Sequence, residues 1–430
     1  MPYDITRMLG RYTINLVVAD QIRELDSGRK TVRRSLFYRS VSHSGSSALI
    51  VKGVRRSGKS TLMKQIMVEK YPDEFYYVNF DDDRLAGFST EDFQSLMEVF
   101  LDLFGTRRVI FLDEIQNVKG WELFINRLLR EGYTVYITGS SANLLSKELG
   151  THLTGRHTDL ELYPFSFFEF LTAKGLKPDR LDYQSTEGRV KIEKMFREYM
   201  HRGGMPEAVI YNNESVLRQI VLDIIQRDIV SRYNILKLNE LKMISRFLIS
   251  NAGKEITYRS ISRNFGISEH TVQKYIEYLS ETYIIFELKR YDRKIKVLEK
   301  NPRKIYCIDN GIITSNIPSL PNGEGALLEN LVAVHLKRIG KEAYYFRDRN
   351  GSEADFYIPG TGEILQVCYD LNDTSVKREL IGLERAARYL RPKNALILTY
   401  NQEREIHIEG LNVSVKPAWK WFLETELSGS

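Results

Sequence analysis

The sequence predicts an α/β protein: a parallel sheet with helices on both faces, followed by a helical stretch, a helix-turn-helix unit and a second α/β unit. Three observations carry this. Gly53-Val54-Arg55-Arg56-Ser57-Gly58-Lys59-Ser60-Thr61 fits the loop pattern G-x-x-x-x-G-K-[ST] without a gap. An apolar run of strand type, Ala48 to Val51, leads into it, and a segment with Leu62 and Ile66 at helical spacing leads out. Strand-type and helix-type segments then alternate as far as about Leu162, as parallel βαβ units require.

At 430 residues the chain is long enough for two or three domains, each with its own core. Its 43% hydrophobic and 27% charged residues are ordinary for a folded soluble protein, and no apolar run reaches the length of a bilayer. Met1 to Gly10 lacks the apolar core of a signal peptide, so the chain reads as cytoplasmic, with no membrane partner. Cys307 and Cys368 match no metal-ligand spacing. The net charge of +6 is concentrated between Lys289 and Lys304. There Lys289, Arg290, Arg293, Lys294, Lys296, Lys300, Arg303 and Lys304 face only Asp292 and Glu299. Such a strip binds an anionic partner or is a solvated charged hairpin.

A helix with Leu16, Val17, Ile22 and Leu25 precedes a basic, Ser-rich passage from Arg29 to Ser47. After the loop and its helix come a β-rich run, Glu74 to Phe80, and a helix from about Thr90 to Phe104 with Phe93, Leu96, Met97, Phe100 and Leu101 on one face. Arg108 to Glu114 is a buried-strand run that ends in two carboxylates, and Thr134 to Thr138 is a strand that ends in Gly139-Ser140-Ser141. From Pro164 to about Tyr233 the pattern is helical, broken at Arg202-Gly203-Gly204-Met205-Pro206. Asp223, Arg227, Asp228 and Arg232 read as the polar face of its last helix. Leu238 to Asn251, Tyr258 to Phe265 and a helix capped by Ser268 form a helix-turn-helix pattern around Gly266. The third helix buries Val272, Ile276 and Leu279 and leaves His270, Thr271, Gln273 and Lys274 outward. A strand from Tyr283 to Tyr291 leads into the basic strip. The last unit begins at about Pro302 with the strand Lys304 to Ile308.

The loop's chemistry is that of a phosphate cradle. Gly53 and Gly58 let backbone N–H groups approach phosphate, Arg56, Ser57 and Thr61 complete the loop, Lys59 supplies positive charge and the Ser60 hydroxyl ligates Mg²⁺. The expected ligands are therefore a nucleoside triphosphate and Mg²⁺. Asp113 would hold the Mg²⁺ through its water shell and Glu114 would orient the attacking water. Ser140 or Ser141 either reaches the γ-phosphate or caps a helix read at Ala142 to Leu149. Arg156 is a candidate arginine finger, acting in its own subunit or in a neighbour, in which case the protein is a homo-oligomer. Outward residues of the third helix would meet base edges, while Lys289, Arg290, Arg293 and Lys294 would meet nucleic-acid phosphates, DNA being favoured. Docking of a protein partner is the alternative use of that unit.

These residues resemble archaeal and bacterial ATPases that have an AAA-type P-loop domain followed by a domain of unknown function, which in such proteins contains a winged helix and a restriction-endonuclease-like fold. The resemblance rests on Gly53 to Thr61, Val109 to Gln116, Ile137 to Ser141, Thr154-Gly155-Arg156 with Pro164 to Phe167, Gly203 to Pro206 and Lys304 to Gly311. It implies a P-loop ATPase domain at 1–163, a helical lid or connector at 164–237, a winged helix at 238–301 and a degenerate PD-(D/E)XK nuclease-like α/β domain at 302–430. It also implies ATP binding and hydrolysis, with nucleic-acid transactions as the expected role. A nuclease site of that class needs two carboxylates and then Glu or Gln-x-Lys. Glu329, Asp355 and Gln366 match the first three places, but Cys368 stands where the lysine belongs, so this site reads as inactive. Three functions follow in order: a DNA-coupled ATPase, a nucleotide-gated switch that recruits a protein, and an ATP-dependent nuclease.

Overall fold

The computed structural model describes residues 9–25, 31–37, 47–140, 155–176, 185–317, 323–408 and 411–428. The chain forms two compact units, Met1–Leu162 and Tyr163–Ser430.

The first unit holds a five-stranded sheet of β1 (Ala48–Lys52), β2 (Phe75–Asn79), β3 (Val109–Asp113), β4 (Thr134–Gly139) and β5 (His157–Glu161). The order is β2-β3-β4-β1-β5, and every pairing is parallel. Alternate residues of each strand enter opposite cores, which is why the strands read as unbroken apolar runs. Ala48, Ile50, Ile110, Leu112, Val135 and Ile137 pack with Phe93, Phe100 and Phe124, whereas Leu49, Val51, Phe111 and Tyr136 pack with Leu62, Met63 and Ile66. The helix Arg11–Leu25 joins the first core through Ile14, Val17 and Val18. Leu16 of that helix is 43% exposed. Gln21 is buried instead, because its amide both donates to the Asn79 carbonyl (3.0 Å) and accepts from the Asn79 N–H (2.8 Å), extending the hydrogen bonding of strand β2. Leu101, read on one face with Phe93, Leu96, Met97 and Phe100, is exposed on the helix Phe93–Phe104 whereas the other four are buried.

The second unit opens with helices Phe167–Ala173, Thr186–Arg202, Pro206–Tyr211 and Ser215–Asp223, the last running into a wider π-type turn, Ile224–Val230. Asp228, expected on the solvated face, is buried in that turn, because the wider turn rotates the side chains that follow out of the helical register. The break at Gly203-Gly204 is a junction of three segments distant in sequence. Asp309 accepts from the Gly204 N–H at 2.6 Å and from the Ile312 N–H at 3.3 Å, and the Phe165 N–H donates to the Gly204 carbonyl at 2.6 Å. Helices Leu238–Ser250, Tyr258–Phe265 and Glu269–Glu281 follow, the last two capped by Thr257 and Ser268.

Strands β6 (Glu255–Ile256), β7 (Ile285–Lys289) and β8 (Arg303–Cys307) form an antiparallel sheet in the order β6-β8-β7. The strand expected to open the last unit is therefore the central strand of the sheet beside the helix-turn-helix. The connection from β7 to β8 contains its own helix, Ile295–Lys300, and no tight-turn sequence marks the two strands as a pair. A six-stranded sheet ends the chain: β9 (Tyr344–Arg347), β10 (Glu353–Ile358), β11 (Glu363–Val367), β12 (Asn394–Thr399), β13 (Arg404–Ile408) and β14 (Leu411–Pro417), in the order β13-β14-β12-β11-β10-β9. The expected hairpin is β10 with β11.

A Cβ on Gly204 would lie 2.2 Å from the Phe165 carbonyl oxygen, and a backbone atom has no room to give. Gly204→Ala is expected to destabilise the second unit by about 2–3 kcal/mol. Calorimetry should show its transition falling by roughly 5–10 °C, and an unshifted transition would contradict the close approach.

Candidate functional site

The loop Gly53 to Thr61 joins the carboxyl end of β1 to the helix Lys59–Lys70. Gly53 (φ 152°) and Gly58 (φ 97°) hold backbone conformations that L side chains rarely adopt, and a Cβ on Gly53 would lie 2.2 Å from the Leu162 carbonyl oxygen. Gly58 sits at the cap of the helix and offers its first N–H groups no side-chain acceptor, which leaves them for an anion. The Ser57 hydroxyl is buried without a hydrogen-bond partner. An orphaned buried donor inside a glycine-lined turn fits a phosphate-bearing ligand. The Lys59 ammonium donates to the Gly53 and Val54 carbonyls (3.1 and 3.2 Å) and lies 3.8 Å from a Glu114 oxygen.

Asp113 ends β3 fully buried. Burial first, and the neighbouring Glu114 charge second, hold its carboxyl above the ordinary range, while hydrogen bonds from Thr138 and Ser60 and the charge of Lys59 oppose the rise. The Thr138 hydroxyl donates to Asp113 and accepts from the Glu114 N–H at 2.9 Å; the Tyr77 hydroxyl donates to the other Asp113 oxygen at 3.3 Å. Glu114 takes a left-handed backbone conformation (φ 52°), and its carboxylate accepts from the Gln116 amide. Ser140 is buried just beyond Gly139, which pairs in register with Lys52. Loop, Asp113, Glu114 and Ser140 thus meet at the carboxyl ends of adjacent strands.

Ser60 and Asp113 are the side chains that could share a Mg²⁺ ion here. Among the described residues no group of three or more His, Cys, Asp or Glu could hold a metal. Arg156 lies elsewhere. Its carbonyl accepts from the Ala48 N–H at 2.9 Å, at the amino end of β1, so the length of that strand, about 13 Å, separates it from its own loop. Ser141 and the helix read at Ala142 to Leu149 lie outside the described residues.

Two side chains at this site escape the sequence reading. Thr138 is the last polar residue of an apolar strand beside Asp113, two positions before the Ser140 that was read as the polar tip. Arg34 is buried and donates to the Ser57 carbonyl at 2.7 Å, yet nothing in its basic passage sets it apart from Arg33.

The second unit presents two further groups of expected site residues. On the helix Glu269–Glu281, His270, Gln273 and Lys274 are exposed, while Thr271 is half-buried and bonded to the Ser268 hydroxyl at 2.7 Å. The basic strip is less open than its composition suggests. Lys289 pairs with Glu299 (2.7 Å), Arg290 is half-buried, and the Arg293 guanidinium lies 5.0 Å over the Tyr389 ring and donates to the Tyr389 carbonyl. Lys294, Lys296 and Lys300 are exposed, whereas Lys304 is buried.

Glu329, Asp355 and Gln366 do line one cavity, of about 910 Å³, together with Lys304 and Glu353. Cys368 packs instead in an apolar cluster with Phe346, Ile364 and Leu383, its thiol donating to the Asp370 carbonyl. Cys368 is thus not among the residues that line the cavity, and the ammonium within it is that of Lys304, from β8. Burial, with Glu329 and Glu353 close by, pushes the Asp355 carboxyl up to about 7 although Lys304 opposes the rise.

Thr138→Val keeps the shape of the side chain but strands the Glu114 N–H and removes a donor from Asp113. It should destabilise the first unit by about 2 kcal/mol, with Thr138→Ser much milder, as measured by calorimetry. Equal transitions for the two variants would show that the hydroxyl contributes nothing there.

The family model for an AAA domain matches residues 45–171, and two models of domains of unknown function, DUF8612 and DUF4143, match residues 193–319 and 324–421. The chain is 34% identical over 393 residues to the uncharacterized protein MJ1544 of Methanocaldococcus jannaschii, covering 87% of this chain and 88% of that protein. It is 30% identical over 397 residues to an uncharacterized protein of Haemophilus influenzae, covering 88% and 91%. AMPPCP-bound DnaA from Aquifex aeolicus aligns with 58% of this chain and 86% of that one at 17% identity and a TM-score of 0.24, too low for any argument. The chain belongs to the family of the M. jannaschii MJ1544 protein, with an AAA-type P-loop domain at its N-terminal end followed by two domains of unknown function.

Proposed function

We propose that this protein is a Mg²⁺-dependent ATPase that couples ATP binding and hydrolysis to binding or remodelling of nucleic acid, DNA before RNA. The observation that carries it is the convergence of Lys59, Asp113, Glu114 and Thr138 on the glycine-lined loop at the carboxyl ends of β1, β3 and β4. Loop amides and the Ser57 hydroxyl would receive phosphate oxygens, and Lys59 would trade its bonds to two carbonyls for the β- and γ-phosphates. Mg²⁺, held by Ser60 and through water by Asp113, would neutralise charge on the phosphates. Glu114 would polarise the attacking water, and Thr138 would fix both carboxylates relative to the loop. Arg156, remote from its own site, would act as an arginine finger only across a subunit boundary.

The order of elements from Leu238 to Cys307 is helix, β6, helix, helix, β7, β8, with the short helix Ile295–Lys300 inserted between β7 and β8; apart from that insertion it is the order of a winged helix. This supports a nucleic-acid role, with His270, Thr271, Gln273 and Lys274 toward bases and Lys289, Arg290, Arg293 and Lys294 toward phosphates. A nucleotide-gated switch that recruits a protein is the second reading. It is favoured by the engagement of Glu114 with both Lys59 and Gln116, which holds the water-activating carboxylate in a resting contact.

Lys59→Ala should abolish ATP binding measured by calorimetry, and Glu114→Gln should bind ATP yet hydrolyse it at least about a hundredfold more slowly. DNA should stimulate turnover, and neutralising Lys289, Arg290, Arg293 and Lys294 together should remove the stimulation. Turnover indifferent to DNA would favour the switch, and normal ATP affinity in Lys59→Ala would defeat both readings. Turnover per chain that rises steeply with protein concentration, and loses that dependence in Arg156→Ala, is the expected signature of a finger in trans.

A further inference from the structure

The cavity between the three-stranded and six-stranded sheets of the second unit holds charges that the ATPase reading does not use. Glu329 comes from the helix Gly323–Arg338, Glu353 and Asp355 come from β10, and Lys304 enters from β8, the central strand of the other sheet. Its ammonium lies 2.9 Å from Glu329 and 3.2 Å from Asp355 and pairs closely with Glu353. The ammonium donates hydrogen bonds to Glu329 and Asp355 and forms an ion pair with Glu353, so three carboxylates surround it. Neighbouring groups add further hydrogen bonds around the cage. Glu329 accepts from the Tyr306 hydroxyl at 2.7 Å, Asp355 from the Val367 N–H at 2.9 Å, and Gln366 bonds both the Asp355 N–H and Glu379.

We infer that Lys304 is the resident cation of this cage: its ammonium occupies the place a divalent ion would need among Glu329, Glu353 and Asp355, closing the cavity to Mg²⁺ and Mn²⁺ and tying β8 to β10. The physical case rests on coordination. Mg²⁺ demands about six oxygens at about 2.0–2.1 Å, and three carboxylates gathered around a tetrahedral donor cannot also close on an ion at the same point. A buried lysine on a β-strand cannot swing clear as a surface lysine would, because β8 is hydrogen-bonded on both edges, to β6 and to β7. The arrangement also explains why the charged Lys304 is buried on β8 beside Ile305. Without the carboxylates, desolvation of Lys304 would be prohibitive; without Lys304, three carboxylates would repel one another across one cavity. Metal-dependent phosphodiester cleavage is thereby excluded from the cavity, for a reason different from the one Cys368 suggests.

The test is Mn²⁺ binding to the nucleotide-free full chain, read by electron paramagnetic resonance, in the wild type, Lys304→Met and Asp355→Asn. Lys304→Met should lower the transition of the second unit by roughly 10 °C, gain one Mn²⁺ per chain over the wild type, and recover several degrees when Mn²⁺ is added. The wild type and Asp355→Asn should bind equal amounts of Mn²⁺. If Lys304→Met folds and gains no Mn²⁺, or if Asp355→Asn loses one that the wild type binds, the assignment is overturned. Should Lys304→Met fail to fold, the comparison of the wild type with Asp355→Asn decides alone, since it does not depend on that variant. Neither outcome touches the loop at Gly53 to Thr61, so the ATPase reading stands or falls separately.

Discussion

A carboxylate buried at the end of a parallel strand has to be answered by donors, and in the first unit that requirement falls on Asp113. Desolvation works against its charge, and Thr138, Ser60, Tyr77 and Lys59 work for it. These groups come from three different elements: Thr138 from β4, Tyr77 from β2, and Lys59 and Ser60 from the first turn of the helix Lys59–Lys70. Strand order is therefore a condition of the site. Only when β3 lies between β2 and β4, with β1 beside β4, do these groups reach one carboxylate. The same contacts hold Glu114 in its left-handed conformation, since its N–H is pinned to Thr138.

The loop adds a second constraint, of space. Leu162 follows β5, and its carbonyl comes so close to Gly53 that no side chain would fit. Its N–H in turn donates to the Lys52 carbonyl at 2.7 Å, so β5 continues to hold the chain as the loop begins. An edge strand thus sets the position of a phosphate cradle, and Arg34 braces the far side through Ser57. A cradle held from both sides keeps its amides aligned before any ligand arrives, which is what preorganised binding requires.

Buried charge also organises the second unit, with different solutions at two places. Asp309 is satisfied almost wholly by backbone N–H groups, and burial still pushes its carboxyl up to about 6. It draws Gly204 and the start of the helix Asn310–Asn316 together, so the Gly203-Gly204 break and the Asp309-Asn310-Gly311 turn, remote in sequence, are two halves of one junction. Lys304 is satisfied by side chains from the helix Gly323–Arg338 and from β10.

The parallel sheet, the loop with its strand and helix, the two carboxylates after β3 and the Ser268 cap could all be read from the chain, because each rests on contacts within a few residues or on a side-chain period. Glu329, Asp355 and Gln366 could be named as companions only through the resemblance to nuclease-like domains, not from any period in the chain. What the sequence could not determine depends on which strands become neighbours. Thr138 matters because β4 lies beside β3, Arg156 is remote because β5 pairs with β1 in parallel register, and Lys304 stands among Glu329, Glu353 and Asp355 from a strand, β8, that joins β6 and β7. Local periodicity says that a residue is in a strand and which face it takes; only the tertiary structure decides what stands across from it, and for buried charge that neighbour decides the chemistry.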